Sequence, residues 1–314
     1  MTFKLRSAQL TSESMSGHSD KAVLLAEELL RQARTRSDMA AAHILRGRLH
    51  GLTGNSQGAV NTLLECLRKF GMPLSPTPSE EELRQAEEEL ELLLQRHALE
   101  ELLSRPSLTD PELAASIDVL SALSASALFA NVRLSALAAL QSAILSIRHG
   151  NTEASANSYV LCSTWYGSSR QKYGEARVLG KLALLLNERS PHSPHKIRVL
   201  NYSATIQSLS IPFSQVREII LAAFRESLLR GDAPGPALVA SPSSETSCSR
   251  VVSFPSSTRS RRPSTSSSAS PAIPYSPNWP AIPCGWCSNC EGSRPRSPRS
   301  MGMGSRRRAS KHSS

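Results

Sequence analysis

Aromatic residues are scarce in this chain of 314 residues, at 4%, whereas hydrophobic residues make up 39%. The apolar content therefore comes from Leu, Ala and Ile rather than from rings, and it suffices for one large domain or two small ones. Long apolar runs are missing as well. The longest candidate, residues 119–147, is interrupted by Asn131 and Arg133, so we predict no membrane span.

Cysteine is also uncommon. The six cysteines lie in a chain whose residues 1–20 lack the apolar core that a signal peptide needs. This combination is typical of reduced thiols rather than of a disulfide framework. We therefore predict a cytoplasmic protein.

Sequence signatures of catalysis are missing too. Neither a catalytic-loop His-Arg-Asp nor a magnesium-binding Asp-Phe-Gly sequence occurs. The nearest approach to a phosphate-binding loop, residues 174–181, has five residues between its glycines instead of four. Leu182 stands where a Ser or Thr would bind magnesium, and helix packing explains the segment better. We expect no catalytic residue, no cofactor and no small-molecule substrate, hence a protein that is not an enzyme.

The excess of positive charge belongs to the C-terminal part of the chain. The formal net charge is +10, but residues 241–314 hold 11 basic and 2 acidic residues, which leaves 25 basic and 24 acidic residues in residues 1–240. The C-terminal part is also rich in Ser and Pro, a composition that argues against a packed core. We predict a disordered tail over residues 233–314, and the total charge is then weak evidence for nucleic-acid binding.

Apolar residues recur at helical spacing from about residue 20 to residue 232. We predict about ten helices joined by short turns. Capping sequences mark two of the starts, Ser79 with Glu82 and Thr109 with Glu112. The predicted helices are residues 21–35, 37–52, 58–70, 79–96, 112–129, 132–148, 153–165, 173–188, 194–209 and 214–229.

The predicted fold is all-α. Because each helix pair is too small to bury its own apolar face, we expect antiparallel helix pairs stacked as a degenerate tetratricopeptide-like solenoid over residues 20–232. The best single unit is residues 40–73, where Gly47 is the small residue that close packing requires and Leu63 is the large residue of the second helix. Residues 1–19 are predicted to be a flexible segment.

Four short motifs resemble one family of proteins, very large sensor kinases. Residues 102–111 (LLSRPSLTDP) resemble the L-x-x-L-P-x-M-T-D-P junction of these kinases, and residues 145–151 (LSIRHGN) resemble their L-S-x-x-Y-G-N segment. Residues 173–189 (YGEARVLGKLALLLNER) are similar to their Y-x-x-G-x-x-x-G-x-L-A-L-x-L-x-x-R run, and residues 221–232 also fit. The resemblance covers roughly residues 20–232.

These kinases join protein-kinase-like, AAA-type ATPase and helical-repeat regions to GAF and histidine-kinase modules. By this resemblance, the helical body is the middle region of a two-component sensor histidine kinase, a scaffold for protein interaction and signal coupling. The resemblance implies a protein partner in the groove between adjacent helix pairs, bound by apolar contacts with a polar rim. The family continues with another helix after Asp232, whereas this chain continues with Pro234. A natural truncation and a tail outside the true reading frame are both open interpretations.

Two other functions stay open at this stage. A regulatory or divergent relative of the ATPase and kinase modules would bind nucleotide. A basic-tailed adaptor would bind nucleic acid through residues 241–314, with an affinity that depends strongly on salt.

Several polar residues could suggest a site. Cys284, Cys287 and Cys290 have zinc-like spacing, but no fourth ligand stands at a suitable distance in the sequence, so coincidence is favoured over metal binding. The acidic residues 80–82 and 87–89 are predicted to be a solvated helix face. The remaining candidates, predicted to be solvated turn residues rather than phosphoacceptors, are His149, His192 and His195.

Overall fold

The computed structural model describes residues 2–128, 130–207 and 213–230, and this part of the chain is helical almost throughout, without a strand. The fold is therefore all-α, as the sequence predicts. The helices are α1 (Phe3–Met15), α2 (Ser19–Gln32), α3 (Arg36–Leu52), α4 (Ser56–Lys69), α5 (Glu80–Arg96), α6 (Leu99–Ser104), α7 (Pro111–Ala127), α8 (Val132–His149), α9 (Ser155–Trp165), a π-helical turn (Tyr166–Arg170), α10 (Tyr173–Arg189), α11 (Lys196–Gln207) and α12 (Phe213–Arg230).

Five helical hairpins are neighbours in space in their order along the chain. The pairs are α1/α2, α3/α4, α7/α8, α9/α10 and α11/α12. The first helix of each later hairpin also packs on both helices of the hairpin before it. Each hairpin therefore packs on the neighbouring hairpins in the chain order, which is how short helix pairs gain a continuous core.

Helices α5 and α6 stand outside this order. Gly71, with φ +76°, ends α4, and the proline-rich segment after it leads to α5, which packs on α8, while α6 packs on α10. The start of α5 is the predicted capping box: the Glu82 N–H donates to Ser79 Oγ at 3.2 Å, and the Ser79 N–H donates to Glu82 Oε2 at 2.7 Å. The chain thus places one strongly capped acidic helix beside the third hairpin.

Small residues allow the hairpins to approach closely. A Cβ added at Gly47 would lie 3.5 Å from the Leu63 side chain, so Leu63 packs directly over the backbone of α3. A small residue is therefore needed at position 47, as the sequence predicts. A Cβ added at Gly180 would come within 3.1 Å of Ser163 Oγ, so α9 approaches the backbone of α10 more closely still.

Serine and asparagine side chains join α9 to its neighbours. Ser158 Oγ lies 2.7 Å from Ser142 Oγ, and Asn157 Nδ2 donates to Ser121 Oγ at 2.8 Å, with all four residues buried. These hydrogen bonds offset much of the cost of burying the hydroxyl groups and the amide N–H, although Asn157 Oδ1 accepts no hydrogen bond from the described residues. Helix α9 can consequently be buried along its length without an apolar stripe.

The structure differs from the sequence prediction at the N-terminus. Residues 1–19 were expected to form a flexible segment, but α1 occupies most of it, and Leu10 of α1 is 1% exposed. Leu10 packs in a cluster with Ala26, Leu29 and Ala42. The reason is tertiary: α1 has too few apolar residues for a clear helical pattern, and contact with α2 and α3 stabilises it.

Most predicted helix starts lie within two residues of the observed ones, and the capping residues account for two of the differences. The predicted helix 37–52 is capped by Thr35, because Thr35 Oγ1 accepts the Asp38 N–H at 3.1 Å. Asp110, not Thr109, caps α7, with Pro111 in the first turn as expected. Helix α6 and the π-helical turn were not predicted at all.

Candidate protein-binding groove

A groove of about 300 Å³ lies between α5 and α10. Val178 in the α10 wall is 40% exposed, and a Cβ added at Gly174 of the same wall would meet no atom within 4 Å. The α10 wall is therefore open to solvent. An open apolar wall with carboxylates along the rim can bind a peptide that carries both apolar and basic side chains. The lining residues are Glu91, Leu94, Gln95, Gly174, Glu175 and Val178.

Helical periodicity places these side chains at the groove. Leu83 and Leu90 direct one face of α5 into the core, which leaves Glu91 and Gln95, four residues apart, on its flank. Gly174 and Val178 have the same spacing on the flank of α10. Two adjacent helix flanks thus supply the two walls.

A buried carboxylate anchors α5 beside the groove. Glu87 is 6% exposed, and its Oε1 accepts hydrogen bonds from Trp165 Nε1 at 2.6 Å and from Arg170 Nε at 2.8 Å. The Tyr166 hydroxyl donates to the Glu87 carbonyl at 3.3 Å. The Arg170 guanidinium also forms an ion pair with Glu80. These bonds compensate the cost of burying the Glu87 charge and tie α5 to the end of α9.

The end of α9 and the π-helical turn after it direct three side chains toward α5. A wider turn changes the direction of successive residues, and here Trp165, Tyr166 and Arg170 all reach Glu87. The guanidinium of Arg170 lies 5.0 Å from the centroid of the Trp165 ring, within range of a cation–π contact. Gln171, with φ 57°, then ends the turn.

Lys172 connects this network to the rim of the groove. Its Nζ donates to Glu91 Oε1 at 2.6 Å and lies 5.9 Å from the Tyr166 ring centroid. The hydrogen bond with Glu91 raises the pKa of Lys172. Glu91 is therefore held in place as a rim carboxylate, while Glu175 on the opposite wall makes no ion pair with the residues that the structure describes.

The prediction of a solvated acidic face is wrong at Glu87. Residues 80–82 and Glu88 are exposed, but Glu87 faces the core. Its position relative to Leu83 and Leu90 is a signal that the sequence contained, since residues three and four apart share a helix face. The partners of Glu87 lie some 80 residues away, and the sequence had no signal for them.

Two of the motifs behind the family resemblance meet in space. The Leu108 N–H donates to the Asn151 carbonyl at 3.0 Å, and Asn151 Nδ2 donates to the Leu102 carbonyl at 3.0 Å. The Tyr159 hydroxyl donates to Asn151 Oδ1 at 2.9 Å. Gly150 has φ +117°, which lets the backbone pass close to residues 106–108. These residues form a packing junction between the end of α8 and the segment before α7.

The segment that approaches a phosphate-binding loop is part of a helix. Residues 174–181 lie inside α10, and the segment before them is the π-helical turn rather than a strand. Gly180 serves close packing against Ser163. The prediction that this segment packs as a helix is confirmed.

Cysteines within the described ranges are unreactive by environment. Cys66 and Cys162 are buried, and burial raises the pKa of the Cys66 thiol to about 12, which leaves no thiolate at neutral pH. No group of three or more His, Cys, Asp or Glu side chains in those ranges could hold a metal ion. Cys284, Cys287 and Cys290 lie outside the described residues, and so does the predicted tail.

The histidines differ in how far their side chains are exposed to solvent. His149 and His192 are exposed, as predicted, whereas His195 is only partly exposed. His43, which the sequence did not single out, is buried in α3, and its Nδ1 lies 3.1 Å from the Thr62 carbonyl. Burial, followed by the charge of Lys69, lowers the pKa of His43.

His195 makes the stability of the protein depend on pH. Burial, followed by the positive charges of Arg198 and Arg48, lowers the pKa of His195 to about 3. The unfolded chain takes up a proton near pH 6.5 and the folded chain does not, so stability falls as the pH drops below about 6.5. Between about pH 7.5 and pH 5 we expect the wild type to lose roughly 1–2 kcal/mol more than a His195→Gln variant.

Urea denaturation of both proteins at the two pH values measures this difference. Other titrating groups, including the buried His43, are present in both proteins and cancel in the comparison. Equal losses in the wild type and the variant would contradict the burial of His195.

Comparison with protein-family models, with curated proteins and with solved structures finds no match to this chain. Among the residues that the structure describes, no helix combines the length and the apolar character of a membrane span. The resemblance to sensor kinases consequently remains an interpretation of the short motifs.

Proposed function

We propose that this chain is a non-catalytic scaffold that binds a protein partner and couples signals. The observation that carries the proposal is the groove between α5 and α10, whose apolar wall is open and whose rim bears Glu91 and Glu175. The buried contacts of Glu87 support it, because they hold one wall of the groove in place before a partner arrives. A preformed groove binds with a smaller loss of conformational entropy.

The order of the hairpins supports a solenoid of the tetratricopeptide-like kind over residues 20–232. In such arrays each repeat contacts only its neighbours, and grooves between elements bind extended or helical peptides. The groove proposed here involves the additional helix α5 rather than two consecutive hairpins. Its partner is a protein segment with apolar and basic side chains, in a cytoplasmic setting, with neither a membrane nor nucleic acid involved.

Membership of a two-component sensor histidine kinase is part of this proposal. The motifs that suggest it include Gly150, Asn151 and Gly180, which lie at close backbone approaches. Genomic DNA on both sides of the reading frame tests it. Adjoining coding sequence for kinase, ATPase or receiver modules would support the assignment, and its absence would contradict it.

A peptide selection tests the groove. Short peptides selected from a displayed random library on the full chain should bind a Val178→Asp variant at least tenfold more weakly, equivalent to about 1.4 kcal/mol. The reason is that a carboxylate in the apolar wall must be desolvated when the peptide covers it. Fluorescence anisotropy with labelled peptides measures the affinities.

The matched control is Leu24→Asp. Leu24 is 65% exposed on α2 and is not among the residues that line the groove, so its replacement introduces the same charge elsewhere. Peptides that bind the Val178→Asp variant as tightly as the wild type would show that the groove is not the binding site.

A further inference from the structure

One face of α11 carries two basic side chains and a hydroxyl group. His195, Arg198 and Tyr202 follow one another at spacings of three and four residues, so they share one face of the helix. All three are half-buried, and Arg198 makes no ion pair with the residues that the structure describes. We refer to these three residues as the basic face of α11.

A second arginine approaches the basic face from α3. The first helices of four hairpins, α3, α7, α9 and α11, lie side by side in a row, and because the hairpins stack in chain order these helices run in the same direction. Three contacts fix their relative heights along the helix axes: Ser37 with Pro111, Ser121 with Asn157, and Gly167 with Ile206. Counted from these contacts, Arg48 of α3 and Arg198 of α11 lie at about the same height.

The electrostatic surroundings of the basic face are positive. Burial, followed by the charges of Arg198 and Arg48, lowers the pKa of His195, and no carboxylate of the described residues acts against them. Glu226 of α12, the helix that packs on α11, forms an ion pair with Lys196 at 3.1 Å. An anion at the basic face is therefore attracted by two guanidinium groups.

Hydrogen-bond donors lie at the same place. The guanidinium of Arg198 presents its N–H groups in a planar fork, which matches two oxygens of a phosphate group. Asn201 follows Arg198 by three residues, and its Nδ2 is buried without an acceptor among the described residues. A buried donor of this kind gains free energy when a ligand oxygen accepts its hydrogen bond.

We propose that the basic face of α11, together with Arg48 of α3, binds a doubly charged phosphate group. Two guanidinium groups attract a dianion more strongly than the single charge of a carboxylate. The phosphate belongs either to the free ion or to a phosphorylated side chain of a protein, and the experiment below distinguishes the two. The groove between α5 and α10 involves the start of α10, whereas the basic face follows the end of α10, so this site does not depend on the proposed function of the groove.

Calorimetric titration of the full chain tests the site with two probes, inorganic phosphate and N-acetyl-phosphoserine amide. At about pH 7.5 and constant ionic strength both probes are mainly doubly charged and should bind to a single site. Arg198→Gln should weaken the binding of each probe roughly tenfold, because the charge and the fork of donors are both lost. Arg198→Lys should be intermediate, since the charge remains without the fork.

Arg48→Gln should weaken both probes roughly threefold, because it removes charge from the facing helix. Tighter binding of the phosphoserine probe than of phosphate would support the site and assign it to a phosphorylated protein. Equal affinities would support the site and assign it to the free ion.

The matched control is Arg96→Gln, which removes the same charge from an exposed position of α5. Its affinities for both probes should equal those of the wild type. Equal weakening by Arg96→Gln and Arg198→Gln would overturn the proposal, since the attraction would then be general. Unchanged binding in Arg198→Gln would overturn it as well.

Nuclear magnetic resonance of the wild type provides a test that needs no variant. Phosphate should shift the backbone amide resonances of residues 195–201 and leave those of residues 91–96 in place. Shifts confined to other parts of the chain, or no saturable binding of either probe, would overturn the proposal.

Discussion

Gly150→Ala is expected to lower the free energy of unfolding by about 2–4 kcal/mol. Gly150 has φ +117°, a conformation that an L side chain rarely adopts, and an added Cβ would lie 2.7 Å from the Pro106 carbonyl oxygen and 3.1 Å from the Leu108 nitrogen. Both neighbours are backbone atoms and cannot rotate away. The junction between residues 106–108 and the end of α8 would therefore have to open.

Urea denaturation of the full chain, followed by circular dichroism at 222 nm, measures the effect. The control is Gly174→Ala, because an added Cβ there meets no atom within 4 Å and the position is helical. This variant should be unchanged or up to about 1 kcal/mol more stable. A Gly150→Ala variant as stable as Gly174→Ala would show that the junction does not have the described backbone geometry.

Glu87→Ala is expected to cost about 3–5 kcal/mol, the second large effect. The substitution removes the acceptor of Trp165 Nε1 and of Arg170 Nε, and both donors lie at a buried helix contact. The indole N–H of Trp165 then bears its desolvation cost without an acceptor, and the Arg170 guanidinium loses its buried partner and keeps only Glu80. Glu87→Gln should be intermediate, because an amide oxygen still accepts from Trp165 but carries no charge.

Glu88→Ala is the matched control. Glu88 is the next residue, exposed, and paired with Arg84 on the surface of α5. Its loss should change stability by less than about 1 kcal/mol. The side-chain N–H resonance of Trp165 should move in the Glu87 variants and stay in place in Glu88→Ala. Equal destabilisation by the two alanine substitutions would contradict the buried network.

Helix α5 illustrates how much of the site the sequence could predict. Its range of residues 79–96 and its capping box follow from residues within about one helical turn, and the structure confirms both. The burial of Glu87 was not predicted, because an acidic run is usually solvated. Only the approach of Trp165 and Arg170, from another part of the chain, makes that burial tolerable.

The sequence by itself determined the all-α class, nearly all of the longer helices and the location of the surplus charge. Each of these depends on composition or on contacts between residues within about one helical turn. Such contacts form in the helix itself, independently of how the helices pack. The tertiary structure alone decided the placement of α5 and α6 outside the hairpin order, the burial of α9 through paired serines, and the close approach at Gly150. Those features join residues that are far apart in sequence, so they exist only once the helices have packed.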